Sequence, residues 1–330
     1  MFPTDYTQTS PKAFEVKVKM AFHKAPDFFI AGAMKCGTTT LHLFLSTHPK
    51  IFIPKGEVKY FAIDDPIQQS EITFNEPSGF GRYKYNSSEL NSWYSQKFEA
   101  AEDGVLTGED SPVYLASPQA AARIRDCRPD AKLIFCFRDP VKRLLSQYWH
   151  QMLRGRALYS LADELRAHPN ELLNRSYYRD QLQYYLDQFP PEQFFFILFE
   201  EFVDNPSRIL HELSHFLGVE VVDFPSLEIP KVNQTTYHRF PKLRRFDNWL
   251  NRNRTSNQDQ RSLPGYAIHR QPFLTRLWRH LHHRINPTQP NCPESISEEL
   301  VEFLAEHFRE RNSGLEEMTG LNLKDHWLGW

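Results

Sequence analysis

Apolar residues along this chain gather in short, nearly unbroken runs separated by longer amphipathic stretches. Five runs read as buried strands: Phe28–Gly32, Ile51–Ile53, Val105–Gly108, Leu133–Phe137 and Phe194–Phe199. Continuous rather than alternating hydrophobicity is the signature of a parallel sheet covered on both faces. Between and after the runs lie helical patterns. Leu41–Ser46 follows the first run directly. Ser117–Asp126 opens with Ser-Pro, a serine cap ahead of a first-turn proline. Pro140–Arg154 and Tyr177–Gln188 carry periodic Leu, Tyr and Trp, and Pro206–Leu217 ends at Gly218, a glycine stop. Ser295–Arg311 resumes as an amphipathic helix with glutamates early and arginines late, in accord with the helix dipole. Strand and helix in alternation predict an α/β fold, a three-layer sandwich whose central, mainly parallel sheet of about five strands is flanked by helices. Ligands of such folds bind beyond the C-terminal ends of the strands.

Residues 219–292 break the rhythm. From Tyr237 to Pro290 there are eleven Lys/Arg against Asp247 and Asp259 alone. That segment reads as a solvated insertion, or as a lid or wall that attracts an anionic substrate or cofactor. The tail Leu321–Trp330 carries two tryptophans and is expected to dock on the body.

The chain has 330 residues, 40% hydrophobic and 14% aromatic, which describes a core-forming protein rather than a disordered one. A formal net charge of −2 offers no global attraction to nucleic acid. No stretch approaches the about 18 uninterrupted apolar residues of a membrane helix, and the N-terminus lacks the apolar core of a signal peptide. Cys36, Cys127, Cys136 and Cys292 are far apart with no metal-site spacing. A reduced, cytoplasmic setting is the simpler expectation.

The candidate chemistry begins where the first run ends. Gly32-Ala-Met-Lys-Cys-Gly-Thr-Thr-Thr40 joins a strand to a helix N-terminus, the architecture that holds phosphate or sulfate. Lys35 supplies a full charge, Gly37 a permissive turn, and Thr38, Thr39 and Thr40 hydroxyl donors. The spacing differs from the G-x-x-x-x-G-K-[ST] nucleotide loop, whose lysine follows the second glycine. A second signal lies after the fourth run. Arg138 closes that strand, Pro140 opens a helix, and Ser146 sits two turns in. Arginine suits bidentate phosphate recognition, and both residues can reach the cleft of the Lys35 loop.

Together these motifs resemble the cofactor-binding motifs of sulfotransferases that use 3′-phosphoadenosine 5′-phosphosulfate (PAPS), a P-loop-like family. In that family a K-x-G-T-T loop binds the 5′-phosphosulfate, matched by Lys35, Cys36, Gly37, Thr38 and Thr39, with Thr40 adjoining. An arginine and a serine eight residues apart bind the 3′-phosphate, matched by Arg138 and Ser146. Glu57–Phe61 is similar to the family's E-x-[HK]-[FY]-F segment, and Gly108–Leu115 to its G-E-x-[ST]-P-x-Y segment. Phe194–Pro206 resembles the strand and turn that follow, and Phe303–Trp327 the C-terminal helix of bacterial members. The resemblance covers roughly residues 26–225 and 293–330, and implies a single domain over 1–330 with a basic insertion at about 226–292.

What the resemblance implies is sulfuryl transfer to a hydroxyl or amine of a small-molecule or glycan acceptor, as in glycan-modifying or natural-product tailoring enzymes. Lys35 would attend the bridging oxygen of the departing phosphate. Glu57 would be the base, from the glutamate branch of the family. The chain departs from many relatives in carrying Gly56, not lysine, directly before it. His42, His48 and His150 are reserve bases, with His48 placed in a structural turn. Lys59, Asp110 and Ser111 are candidate acceptor-side residues. Phe74, Phe80, Tyr83, Tyr85 and Trp93 either line an acceptor pocket or pack ordinarily. No metal site is expected, since a Mg²⁺-dependent kinase needs a carboxylate that this pattern does not supply. A nucleotide or small-molecule kinase and a non-catalytic nucleotide-binding module stand as the alternatives.

Overall fold

A computed structural model of the chain describes residues 25–74, 80–221, 236–251, 263–264, 278, 281–292 and 294–330. Its centre is a five-stranded sheet of β1 (Phe28–Gly32), β2 (Ile51–Phe52), β3 (Leu106–Asp110), β4 (Lys132–Phe137) and β5 (Phe194–Leu198), in the order β2-β3-β1-β4-β5. Every neighbouring pair is parallel. Helices flank the sheet, giving the α/β three-layer sandwich that the alternation predicts. Phe28, Phe29, Ile30, Leu133, Ile134, Phe135, Phe137, Ile197 and Leu198 are buried. Each such side chain contributes roughly 1.5–3 kcal/mol on burial. Gly108 has to be glycine, because a Cβ there would stand 2.2 Å from Cζ of Phe28 on the adjacent strand.

The third strand runs two residues past the expected end, through Glu109 and Asp110, and stops short of Val105. Two consecutive carboxylates read as a strand terminus. Glu109 nevertheless stays inside the ladder because the hydroxyls of Tyr94 (2.7 Å), Ser111 (2.8 Å) and Tyr114 all donate to it. Burial pushes the Glu109 carboxyl up to about 7.

The helices that position the site are Thr38–Leu45, Pro140–Arg154 and Phe199–Asp204, each starting where β1, β4 or β5 ends. Asp139 caps Pro140–Arg154 by accepting from the N–H groups of Val141 (2.9 Å) and Lys142 (3.0 Å). Pro118–Cys127 forms as expected, but the Ser117 hydroxyl does not cap it. That hydroxyl donates to Asp65 Oδ2 at 2.7 Å and ties two loops together. The helix Glu298–Arg311 is secured by Asn312, whose Nδ2 donates to the Ser176 carbonyl at 3.0 Å.

Of the basic insertion, Arg252, Arg254, Arg261, Arg270, Arg276 and Arg279 lie outside the described residues. Two described members are engaged structurally. Arg244 pairs with Asp247 at 2.6 Å and donates to the Met152 and Leu153 carbonyls, while Arg245 pairs with Glu294 at 3.0 Å. Arg244 thus satisfies the carbonyl end of Pro140–Arg154, where a cation is favoured by the dipole.

Candidate active site

The loop after β1 is bent by two left-handed residues, Lys35 (φ 72) and Gly37 (φ 89). A side chain at Gly37 is excluded on both counts, since its Cβ would lie 2.7 Å from Cδ2 of Phe199. The loop is fastened from below by β4. Ala33 N–H donates to the Cys136 carbonyl at 2.8 Å, the Cys136 thiol donates to the Cys36 carbonyl at 2.7 Å, and Arg138 Nη1 donates to the Lys35 carbonyl at 3.3 Å. The Arg138 guanidinium lies 4.7 Å above the Phe199 ring.

Above the loop opens a cleft of about 1140 Å³ at the C-terminal ends of the strands. Lys35, Gly37, Thr38, Thr39 and Thr40 form its floor, Arg138 and Ser146 one wall, and Glu57, Lys59 and Asp110 the other. Residues as far apart as 35 and 146 therefore meet in one space. Two expected members do not reach it. Cys36 is fully buried, with its thiol 3.7 Å from the Tyr178 hydroxyl, and its N–H donates to the Ala33 carbonyl at 3.3 Å. Ser111 lies beneath the wall, fully buried; its Oγ accepts from Lys59 N–H at 2.8 Å and donates to Glu109 at 2.8 Å. It shapes the turn at Lys59 (φ 61) rather than facing solvent. Residue types at those positions were legible; which way the side chains turn was not.

Burial, then the nearby Arg143 and Arg138 cations, lowers the Lys35 ammonium to about 8. Lys35 forms no ion pair with a described residue. The helix Thr38–Leu45 receives no side-chain cap, and Arg138 Nε has no hydrogen-bond partner among the described residues. Cations and N–H donors are thus in surplus where an anion would sit, which fits a ligand with a phosphate-type group at each end.

The opposite wall is a row of carboxylates. Glu57 pairs with Lys59 at 3.0 Å at the half-exposed cleft mouth, where such a pair is readily displaced. Asp110 is buried, its Oδ2 3.3 Å from His42 Nδ1. Burial pushes the Asp110 carboxyl up to about 6, with the hydrogen bond from His42 acting against the rise. His150 also borders the cleft, whereas His48 is bound to the Glu220 carbonyl (2.9 Å) and to Lys50 N–H (3.1 Å), a structural turn. Of the five aromatics, Trp93 borders the cleft, Phe74 and Phe80 are exposed, Tyr83 is buried, and Tyr85 stacks under Arg123 at 4.0 Å.

Two contributors are not apparent in the motifs. Arg143 is fully buried on the inward face of Pro140–Arg154; its Nη2 donates to the Glu171 carbonyl at 2.8 Å, while Nε and Nη1 meet no partner among the described residues. Arg143 lies one turn before the buried Gln147 on this helix, and no local signal separates it from a surface arginine. The tail is the other. Leu328 N–H donates to Asp139 Oδ2 at 3.0 Å, and Glu200 bridges Trp327 Nε1 (3.3 Å) and Asp139 N–H (3.2 Å).

The parallel α/β sandwich places a glycine-bent loop with a lysine after its central strand and an arginine after the neighbouring strand, the arrangement expected of the sulfotransferase family. Comparison with known proteins agrees: the model described as "Sulfotransferase family" matches residues 26–223, and the chain belongs to that family. It is 33% identical to a sulfotransferase of Alicyclobacillus acidocaldarius of known structure, with a TM-score of 0.54 over 64% of this chain and 89% of that one. It is 25% identical to the membrane-associated sulfotransferase kil1 of Dictyostelium discoideum, over 60% of this chain and 57% of the relative. It is 29% identical to human bifunctional heparan sulfate N-deacetylase/N-sulfotransferase 3, over 59% of this chain and 22% of the relative. The match thus spans little more than half of the first relative and under a quarter of the second. Among the described residues no helix is long and apolar enough to cross a membrane. Membership of the sulfotransferase family weighs against the kinase alternative.

Proposed function

We propose that this chain moves a sulfuryl group from PAPS to a hydroxyl, or an amine, of a small-molecule or glycan acceptor by in-line displacement, within a single domain and in a cytoplasmic setting. The observation that carries the reading is the Lys35 ammonium on the cleft floor, without an ion-pair partner among the described residues, in a cleft also lined by Arg138, Ser146 and Glu57. The donor supplies an activated sulfuryl group on a phosphosulfate anhydride. Lys35, the Thr38 and Thr39 hydroxyls and the first-turn N–H groups hold its 5′ end, and Arg138 with Ser146 holds its 3′-phosphate. Lys35 donates a hydrogen bond where negative charge grows on the departing oxygen. Glu57 accepts the acceptor's proton as the new bond forms. Positioning and charge stabilisation supply most of the rate, as in phosphoryl transfer.

The direct test is an assay with sulfur-labelled PAPS, a panel of hydroxyl and amine acceptors, and excess chelator. Labelled product together with adenosine 3′,5′-bisphosphate is expected. Strict dependence on ATP and Mg²⁺, with no use of PAPS, would sink the reading.

A further inference from the structure

The two carboxylates on the acceptor wall are held differently, and one is incomplete. Glu57, at the cleft mouth, is matched by Lys59 at 3.0 Å. Asp110 stands at the end of β3 with about 5% of its surface exposed, and it is among the residues that line the cleft. His42, from the helix Thr38–Leu45, fixes one oxygen through Nδ1···Oδ2 at 3.3 Å. The other oxygen, Oδ1, is buried and has no hydrogen-bond partner among the described residues. A carboxylate oxygen removed from water needs a donor, and an acceptor-only group cannot find it in another carboxylate. The charged groups that act on Asp110 include His42 beside it, Glu57 and Lys59 from the segment after β2, and Glu109 before it on β3, whose carboxylate is itself taken up by hydroxyls of Tyr94, Ser111 and Tyr114. Glu57 cannot donate as a carboxylate, and the Lys59 ammonium is drawn to Glu57.

We infer that Asp110, oriented by His42, is the specificity-determining group of the acceptor site: its Oδ1 binds a second hydrogen-bond donor, a hydroxyl or ammonium, on the same acceptor whose reacting group faces Glu57. This rests on the sulfuryl-transfer reading and narrows its substrate class to acceptors with at least two neighbouring donors. A single-hydroxyl acceptor satisfies Glu57 and leaves the Asp110 oxygen dry and unpaired. A site built around a buried polar group rejects such an analogue far more strongly than an apolar pocket rejects a missing methylene. His42 is a positioning residue here, since its ring holds Asp110 in one rotamer.

The experiment compares kcat/KM for two matched acceptor pairs, catechol with phenol and 1,2-cyclohexanediol with cyclohexanol, in the wild-type chain, Asp110→Asn, Asp110→Ala and His42→Ala. Wild type is expected to favour the two-donor member of a pair by about 10²-fold or more. Asp110→Ala and Asp110→Asn should each shrink that ratio by at least about tenfold, and His42→Ala should shrink it less, through KM for the two-donor acceptor. Titration with adenosine 3′,5′-bisphosphate checks that each variant still folds and binds nucleotide; the isosteric Asn variant serves if Ala does not. Transfer with equal preference within both pairs, or discrimination that survives both Asp110 variants, overturns the inference and leaves the sulfuryl-transfer reading standing. Wild type that binds no nucleotide, or transfers to none of the four, overturns the inference as well.

Discussion

Asp139 accepts a hydrogen bond from the backbone N–H of Leu328 at 3.0 Å, across 189 residues of chain. Its other oxygen caps the helix Pro140–Arg154, and the residue before it is Arg138. Asp139→Ala should therefore lower stability by about 0.5–2 kcal/mol, the usual cost of a lost N-cap, and loosen nucleotide binding with it. Thermal melts with and without adenosine 3′,5′-bisphosphate measure both; an unchanged melting temperature would show that the cap is dispensable.

Glu57→Gln keeps the side chain's shape and removes its basicity. Turnover should drop by about 10²–10⁴-fold, the contribution of a positioned base, while donor affinity changes little. Near-normal turnover would pass the base role to another residue of the wall.

Arg138→Ala should weaken binding of adenosine 3′,5′-bisphosphate by about 1.5–3 kcal/mol, the scale of a charged hydrogen bond. Part of that loss would come through the loop, because Arg138 also donates to the Lys35 carbonyl at 3.3 Å. Calorimetry decides, and equal affinity in the two proteins would make Arg138 structural.

Gly37→Ala adds a Cβ at φ 89 and 2.7 Å from the Phe199 ring. A left-handed conformation costs an alanine about 1–2 kcal/mol before any clash. Stability and nucleotide affinity should both fall. Adding Phe199→Ala should return the steric share and not the conformational one. Full recovery in the double variant would mean that backbone strain contributes nothing.

The lowered Lys35 ammonium sets a pH dependence. Its ordinary value is 10.5, and in the folded protein burial and two arginines bring it to about 8. Between those values the unfolded chain binds more protons than the folded one, so this group makes stability rise with pH from about 8 to 10.5. Anion binding runs the other way, because it needs the charged form. Affinity for adenosine 3′,5′-bisphosphate should fall above pH 8, by at most about tenfold per unit for one proton. Lys35→Arg, which stays charged, should flatten the fall. Wild-type affinity that is equal at pH 7 and 9.5 would contradict a linked Lys35.

The sheet was largely readable from the pattern because four of its five strands are apolar runs with few competing interpretations. The end of β3 was not, since Glu109 is kept inside by hydroxyls from Tyr94 and Tyr114, contacts that a linear pattern does not reveal. The spacing placed Lys35, Thr39 and Arg138 at strand ends and a helix start and Ser146 two turns into its helix, and the structure brings all four to one cleft. Cys36 and Ser111 sit in the same motifs yet turn inward, a matter of backbone dihedrals at Lys35 and Gly37 and of the Glu109 network. Arg143 and the Leu328 contact depend on packing between distant segments, for which local sequence carries little information.

β1 lies at the middle of the sheet, with β3 and β2 on one side and β4 and β5 on the other. Arg138 and Ser146 come from the β4 side, Glu57, Lys59 and Asp110 from the β2–β3 side, and Lys35 from the loop between them. Such a division lets the two halves change independently. On the proposed roles, exchanging the residue 51–74 and 106–115 segments between relatives is expected to transplant acceptor choice while the nucleotide grip stays behind, as an interchangeable jaw on a fixed handle.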